Sequence, residues 1–122
     1  MRKPKFNSDP LHKLRVALRE FAAARDWDQF HSPKNLATAL SVEASELLEH
    51  FQWLTEKQSS RLQARELRKV REEMADVLLY LIRLADKLEI DMVQAALNKM
   101  RSNAKKYPVA KARGISRKYT EL

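Results

Sequence analysis

The chain has 122 residues, enough for one domain with a hydrophobic core, and carries 24 basic against 16 acidic residues for a net charge of +8. It has no cysteine, one glycine and four prolines. Those counts exclude a disulfide framework, a thiolate metal site and a glycine-rich phosphate loop, and they favour a few long helices over a turn-rich sheet.

Residues 1–8 read as a flexible arm. Asp9-Pro10 is a helix start, a capping acid before proline at the first helical position. Leu11, Leu14, Leu18, Phe21 and Ala22 form a helical stripe that reaches about Arg25. Residues 26–32 break the period, and Ser32-Pro33 restarts it. The second predicted helix runs to about Leu54, with Leu36, Leu40, Leu47, Leu48, Phe51 and Leu54 inward. Thr55 to Ser60 reads as a polar loop, and Ser60 with Gln63 fits a capping box. The third helix carries Leu67, Val70, Met74, Val77, Leu78, Leu81, Ile82 and Ala85 and ends near Leu88. Asp91 caps a fourth, which ends by Tyr107-Pro108. Residues 109–122 read as a basic tail.

Four helices with short connections predict an all-α, four-helix-bundle-like protomer spanning residues 1–122 as a single domain. Helices two and three are apolar on more than one face, which predicts a homo-oligomer, dimer or tetramer. No apolar run approaches the roughly 20 residues of a membrane span. The opening Met-Arg-Lys-Pro-Lys-Phe lacks the apolar stretch of a secretory signal, so a cytoplasmic protein is the expectation.

The charge excess lies in residues 99–118, which hold eight basic residues and no acid; without them acids and bases balance. Such a segment attracts polyanions. The acids are placed differently. Glu43 and Glu46 form an E-x-x-E step, and Glu73 and Asp76 an E-x-x-D step, each among apolar residues at helical spacing. A three-residue step puts both acids on one helix face. Buried carboxylates are costly without a partner, and four converging hard oxygens suit a divalent cation. No E-x-x-H pair exists, which argues against a di-iron bundle; all-oxygen ligation suits Mg2+ or Mn2+. Magnesium commonly shares its shell with substrate phosphates, which makes a polyphosphate the implied guest.

Glu73, Asp76, Tyr80, Arg83 and Lys87 fall on one rough face, a polar strip on an otherwise apolar helix. Trp27, Phe30, His31, Trp53 and Tyr80 are candidates for holding a base. Lys99, Asn103 and Lys106 share a face of the fourth helix and are candidates for phosphate. The competing reading is a small basic helical nucleic-acid-binding or interaction protein using residues 99–118. It accounts for the charge but not for acids among apolar residues.

In their order, these segments resemble the all-α NTP pyrophosphohydrolases of the MazG-like superfamily, close to its dCTP pyrophosphatase branch. The matching stretches are residues 25–35 (RDWDQFHSPKN), Glu43-Ala-Ser-Glu46 with residues 50–53 (HFQW), residues 72–80 (EEMADVLLY), residues 99–108 (KMRSNAKKYP) and residues 116–122 (SRKYTEL). The resemblance implies magnesium-dependent hydrolysis between the α and β phosphates of a nucleotide, dCTP or a modified dCTP foremost, giving a monophosphate and pyrophosphate for nucleotide-pool sanitation. It implies that Glu43, Glu46, Glu73 and Asp76 hold the metal and carry catalysis. By the same resemblance, Trp27, Phe30, His31, Trp53 and Tyr80 line the nucleotide pocket, and Lys99 and Asn103, with Lys106, reach phosphate or metal. It further implies dimers or tetramers with sites at subunit contacts. One departure is Ser45, where the family often has glycine before the second Glu.

Overall fold

The computed structural model describes residues 9–122, and all regular structure among them is helical. The expected arm at residues 1–8 lies outside the described residues. Six α-helices follow one another: α1 (Pro10–Ala24), α2 (Pro33–Glu49), α3 (Glu56–Ser59), α4 (Ala64–Lys87), α5 (Met92–Lys106) and α6 (Val109–Ala112). The four long helices are those predicted. The chain divides into two compact units, the first ending at Glu89 and the second spanning Ile90–Leu122. Three long helices belong to the first unit and α5 to the second, so the first unit is a three-helix packing with α1 and α2 against α4.

Local chemistry sets the ends. Asp9 accepts from the Leu11 amide at 3.0 Å, Ser32 from Asn35 at 3.1 Å and Asp91 from Gln94 at 3.0 Å, each satisfying an amide that the first helical turn leaves unpaired. At the end of α1 the Trp27 amide donates to the Ala22 carbonyl (2.9 Å) and the Asp26 amide to Ala23 (3.1 Å). Those paired bonds make a Schellman stop. Asp26 takes its left-handed position at φ 53°, a conformation aspartate tolerates better than most residues.

Three local expectations change. The second helix ends at Glu49 rather than Leu54, because residues 50–54 close successive three-residue turns, Phe51 N–H to Leu48 O (2.8 Å) and Leu54 N–H to Phe51 O (2.9 Å). Apolar spacing of three survives such turns, so the pattern could not mark the break. The segment read as a loop holds α3, and the capping box is Thr55 with Gln58 rather than Ser60 with Gln63. Ser60 instead closes α3, its hydroxyl donating to the Glu56 carbonyl, and Gln63 precedes α4 without a side-chain cap. The expected tail holds α6 and a 3-10 turn (Tyr119–Glu121); Tyr119 meets Tyr107 edge-on at 5.9 Å, with Lys106 Nζ 4.9 Å from the Tyr119 ring centre.

Ala22, Leu36, Val70, Ile82 and Ala85 form the buried core. Burial on α4 gathers in its C-terminal half, where residues 79–87 are all buried or half-buried, and apolar surface is left open elsewhere: Leu67, Met74 and Leu78 on α4 and Val42 and Leu48 on α2 are exposed. No helix among the described residues is long and apolar enough to cross a membrane.

Candidate metal and nucleotide site

The packing of α2 on α4 brings the two acidic steps together. One oxygen each from Glu43, Glu73 and Asp76 lies within 4.8 Å of the other two. Glu43 and Glu73 are half-buried, and Oε2 of each is shielded from solvent without a hydrogen-bond partner. Glu46 stands outside this trio but borders Glu43. Desolvation, reinforced by the adjoining Glu46 and Glu73 carboxyls and the Asp76 charge, pushes Glu43 up to about 7. Shielded acceptors that face one another are costly unless a proton or a cation lies between them. The donor set is all carboxylate oxygen, and two of the three acids carry a shielded oxygen without a partner. These residues therefore fit a hard divalent ion such as magnesium or manganese.

A pocket of about 230 Å³ adjoins this cluster, with Asp76 in its wall. Trp27, His31 and Tyr80, three of the five aromatic and histidine candidates, line it beside Leu18, Phe21 and Arg83. The Schellman stop delivers Trp27 to this position, edge-on to Phe21 (5.7 Å between ring centres) and to His31 (6.5 Å). A short 3-10 turn (Asp28–Phe30) carries the chain on to His31, and Asn35 ties back to the Phe30 carbonyl at 3.0 Å.

Not every candidate joins the pocket. Phe30 is 59% exposed and Trp53 86% exposed, and neither is in its wall. Trp53 lies in the turns after α2, where the shortened helix leaves its ring in solvent. Lys99, Asn103 and Lys106 lie on α5 in the second unit.

The sequence reading underrated Arg83. Among the described residues it is the one charged residue that is buried, at 6% exposure, and it makes three contacts. Its Nε donates to His31 Nδ1 (3.2 Å), one terminal nitrogen donates to Asp28 Oδ1 (2.6 Å), and the other faces Asp86 Oδ2 at 3.6 Å. Lys87 also donates to Asp28, and Arg19 binds Asp86 through two bonds, Nε at 2.7 Å and a terminal nitrogen at 2.5 Å. Lys87 first, then Arg83, hold the Asp28 carboxyl below its ordinary range; Arg19 chiefly does the same for Asp86. The signal for Arg83 was its place on the strip shared by Asp76 and Tyr80; its partners, some fifty residues away in sequence, left no local mark.

A family model described as the MazG-like family matches residues 38–122, which include both acidic steps and α5. The chain belongs to the MazG-like family. Among similar proteins are dCTP pyrophosphatase 1 of Homo sapiens, 46% identical over 96% of this chain and 71% of that protein, and its Bos taurus counterpart, 44% identical over the same shares. A crystal structure of a pyrophosphatase from Archaeoglobus fulgidus superposes with a TM-score of 0.78 at 41% identity, covering 87% of this chain and 99% of that one. In this MazG-like chain the acidic steps thus sit on helices packed as the family fold packs them.

Proposed function

We propose that the chain is a magnesium-dependent nucleotide pyrophosphohydrolase that cleaves dCTP or a modified dCTP between the α and β phosphates. The products are a nucleoside monophosphate and pyrophosphate, and the use is removal of surplus or altered nucleotides from the pool. One observation carries the reading: Asp76 belongs both to the carboxylate trio and to the wall of the aromatic pocket. The kinship to dCTP pyrophosphatases supports the choice of substrate.

Glu43, Glu46, Glu73 and Asp76 would hold magnesium, or manganese in its place. Bound there, the ion supplies neutralisation of phosphate charge and a lowered pKa for a bound water. The chain's own residues do the rest. Trp27 and Tyr80 offer aromatic surface to a base, and His31 a ring nitrogen. A base held in the pocket leaves its phosphates to meet the acids at Asp76, so binding orients the reacting phosphorus. A carboxylate of the quartet accepts the proton of the attacking water. Lys99 and Asn103, with Lys106, are the phosphate-binding candidates of α5. Phe30 and Trp53, exposed in a single chain, complete the base site across a homo-oligomer contact, where the open apolar faces of α2 and α4 are covered. The 122 residues act as one nucleotide pyrophosphohydrolase domain of a cytoplasmic enzyme.

The test is a panel of canonical and base-modified deoxynucleoside triphosphates, with and without magnesium, followed by product analysis. dCTP or a modified dCTP is expected to give monophosphate and pyrophosphate only when metal is present. Release of orthophosphate, or equal turnover after chelation, would overturn the reading. The nucleic-acid-binding alternative leaves the partnerless carboxylate oxygens without a role.

A further inference from the structure

An arginine side chain has donors only, at every nitrogen. The Nε–H of Arg83 is aimed at His31 Nδ1, 3.2 Å away, so that ring nitrogen accepts and carries no proton. The neutral ring then bears its proton on Nε2, and His31 lines the pocket. Arg83 is itself fixed, buried at 6% exposure and bonded to Asp28 on one side while facing Asp86 on the other.

We propose that Arg83 is a positioning residue that locks His31 as the neutral Nε2–H tautomer, so that the pocket selects a base presenting a hydrogen-bond acceptor to His31. The proposal rests on the function proposed above and deepens it, by naming what the pocket reads. Cytosine offers two adjacent acceptors, ring N3 and O2, whereas a base edge carrying only donors would leave the histidine proton unpaired. The surroundings favour the neutral ring. Burial is the main force lowering the His31 pKa, the Arg83 and Lys87 charges add to it, and Asp28 opposes them. The network also explains why a full positive charge is tolerated inside the unit: Asp28 and Asp86 neutralise it, and each has a second cation of its own in Lys87 and Arg19.

Nitrogen NMR of the wild-type protein at neutral pH, with magnesium and no nucleotide, reads the tautomer directly. A pyridine-type Nδ1 and a pyrrole-type, protonated Nε2 are expected at His31. A protonated Nδ1, alone or with Nε2, would overturn the proposal without touching catalysis. Arg83→Met should release the lock and give a mixed or charged ring. Its fold should survive, because Asp28 keeps Lys87 and Asp86 keeps Arg19; circular dichroism checks this. In steady-state assays Arg83→Met and His31→Leu should both raise KM for dCTP about threefold to tenfold, the worth of one hydrogen bond, with a smaller change in kcat. His31→Gln, whose amide can donate from a similar place, should restore most of the loss. An unchanged KM in Arg83→Met, with the tautomer lost, would show that His31 does not read the base. If the wild-type enzyme releases no pyrophosphate from dCTP, the functional reading falls instead, and the NMR result stands separately.

Discussion

Helix α4 carries two charged clusters about two turns apart, and they treat their charge in opposite ways. Around Arg83, each buried or half-buried ion has an opposite partner: Asp28, Asp86, Lys87 and Arg19 close a network across three elements. Around Glu73 and Asp76, three carboxylates converge, and two of their oxygens are buried with nothing to accept. A fold able to pair charge that completely has no structural reason to leave the other cluster unpaired. The difference fits the acids to the cation proposed above, and the Arg83 network to a scaffold beside the pocket that His31 lines.

The comparison breaks most directly at Asp76. Asp76→Ala removes one carboxylate of the trio, the acid in the pocket wall, so on the proposed function turnover is expected to fall by about 100-fold. Magnesium should raise the melting temperature of the wild-type protein, since a ligand bound only by the folded state stabilises it by about 2.7 kcal/mol at one hundred times its Kd. Asp76→Ala should lose most of that rise while its metal-free melting temperature holds or increases, because one repelling charge has gone. Full activity in a folded Asp76→Ala protein would remove it from the ligand set.

The sequence made one cluster legible and hid most of the other, for a physical reason. Acids spaced by three among apolar residues announce a shared face on their own helix, so Glu43, Glu46, Glu73 and Asp76 could be read before any contact was known. The four long helices were readable by the same periodicity and by caps at Asp9, Ser32 and Asp91. The Arg83 network depends on partners 52 and 55 positions away, and tertiary pairing of that kind has no local spacing. The capping box was misplaced because Thr55-x-x-Gln58 and Ser60-x-x-Gln63 carry the same signal, and only the turns that follow α2 decide between them.

The clusters should also respond to pH with opposite signs. In the metal-free protein Glu43 titrates at about 7 against an ordinary 4.5, so between those values the folded chain holds a proton that the unfolded chain has lost. Its contribution is full below pH 4.5 and disappears as pH rises through about 7. Asp28 and Asp86 have lowered pKa values, so their contribution is present above the ordinary carboxylate range and is lost as pH falls. Melting curves from about pH 3 to 8, with and without magnesium, separate the two, the carboxylates paired with Arg83 and Arg19 acting at the acid end and Glu43 at the neutral end. The metal-free protein should lose stability toward pH 8, and magnesium should reverse that trend by displacing the Glu43 proton. Curves that run parallel at every pH would mean that Glu43 does not exchange its proton for the ion.

The smallest effect tests how redundant the paired cluster is. Arg19 holds Asp86 through two bonds, yet its side chain is 53% exposed while that of Asp86 is 9% exposed. An ion pair open to solvent on one side contributes about 0.5–1 kcal/mol, and less in salt. Arg19→Ala should therefore lower the melting temperature by only a few degrees, because Arg83 still faces Asp86 at 3.6 Å. The informative comparison is the double variant with Arg83→Met. With both cations gone, a nearly buried carboxylate keeps only the charge of Arg15, and the loss should exceed the sum of the single losses. Simple additivity would mean that Arg19 and Arg83 act on Asp86 independently, and that the network is a set of separate pairs rather than one unit around the buried guanidinium.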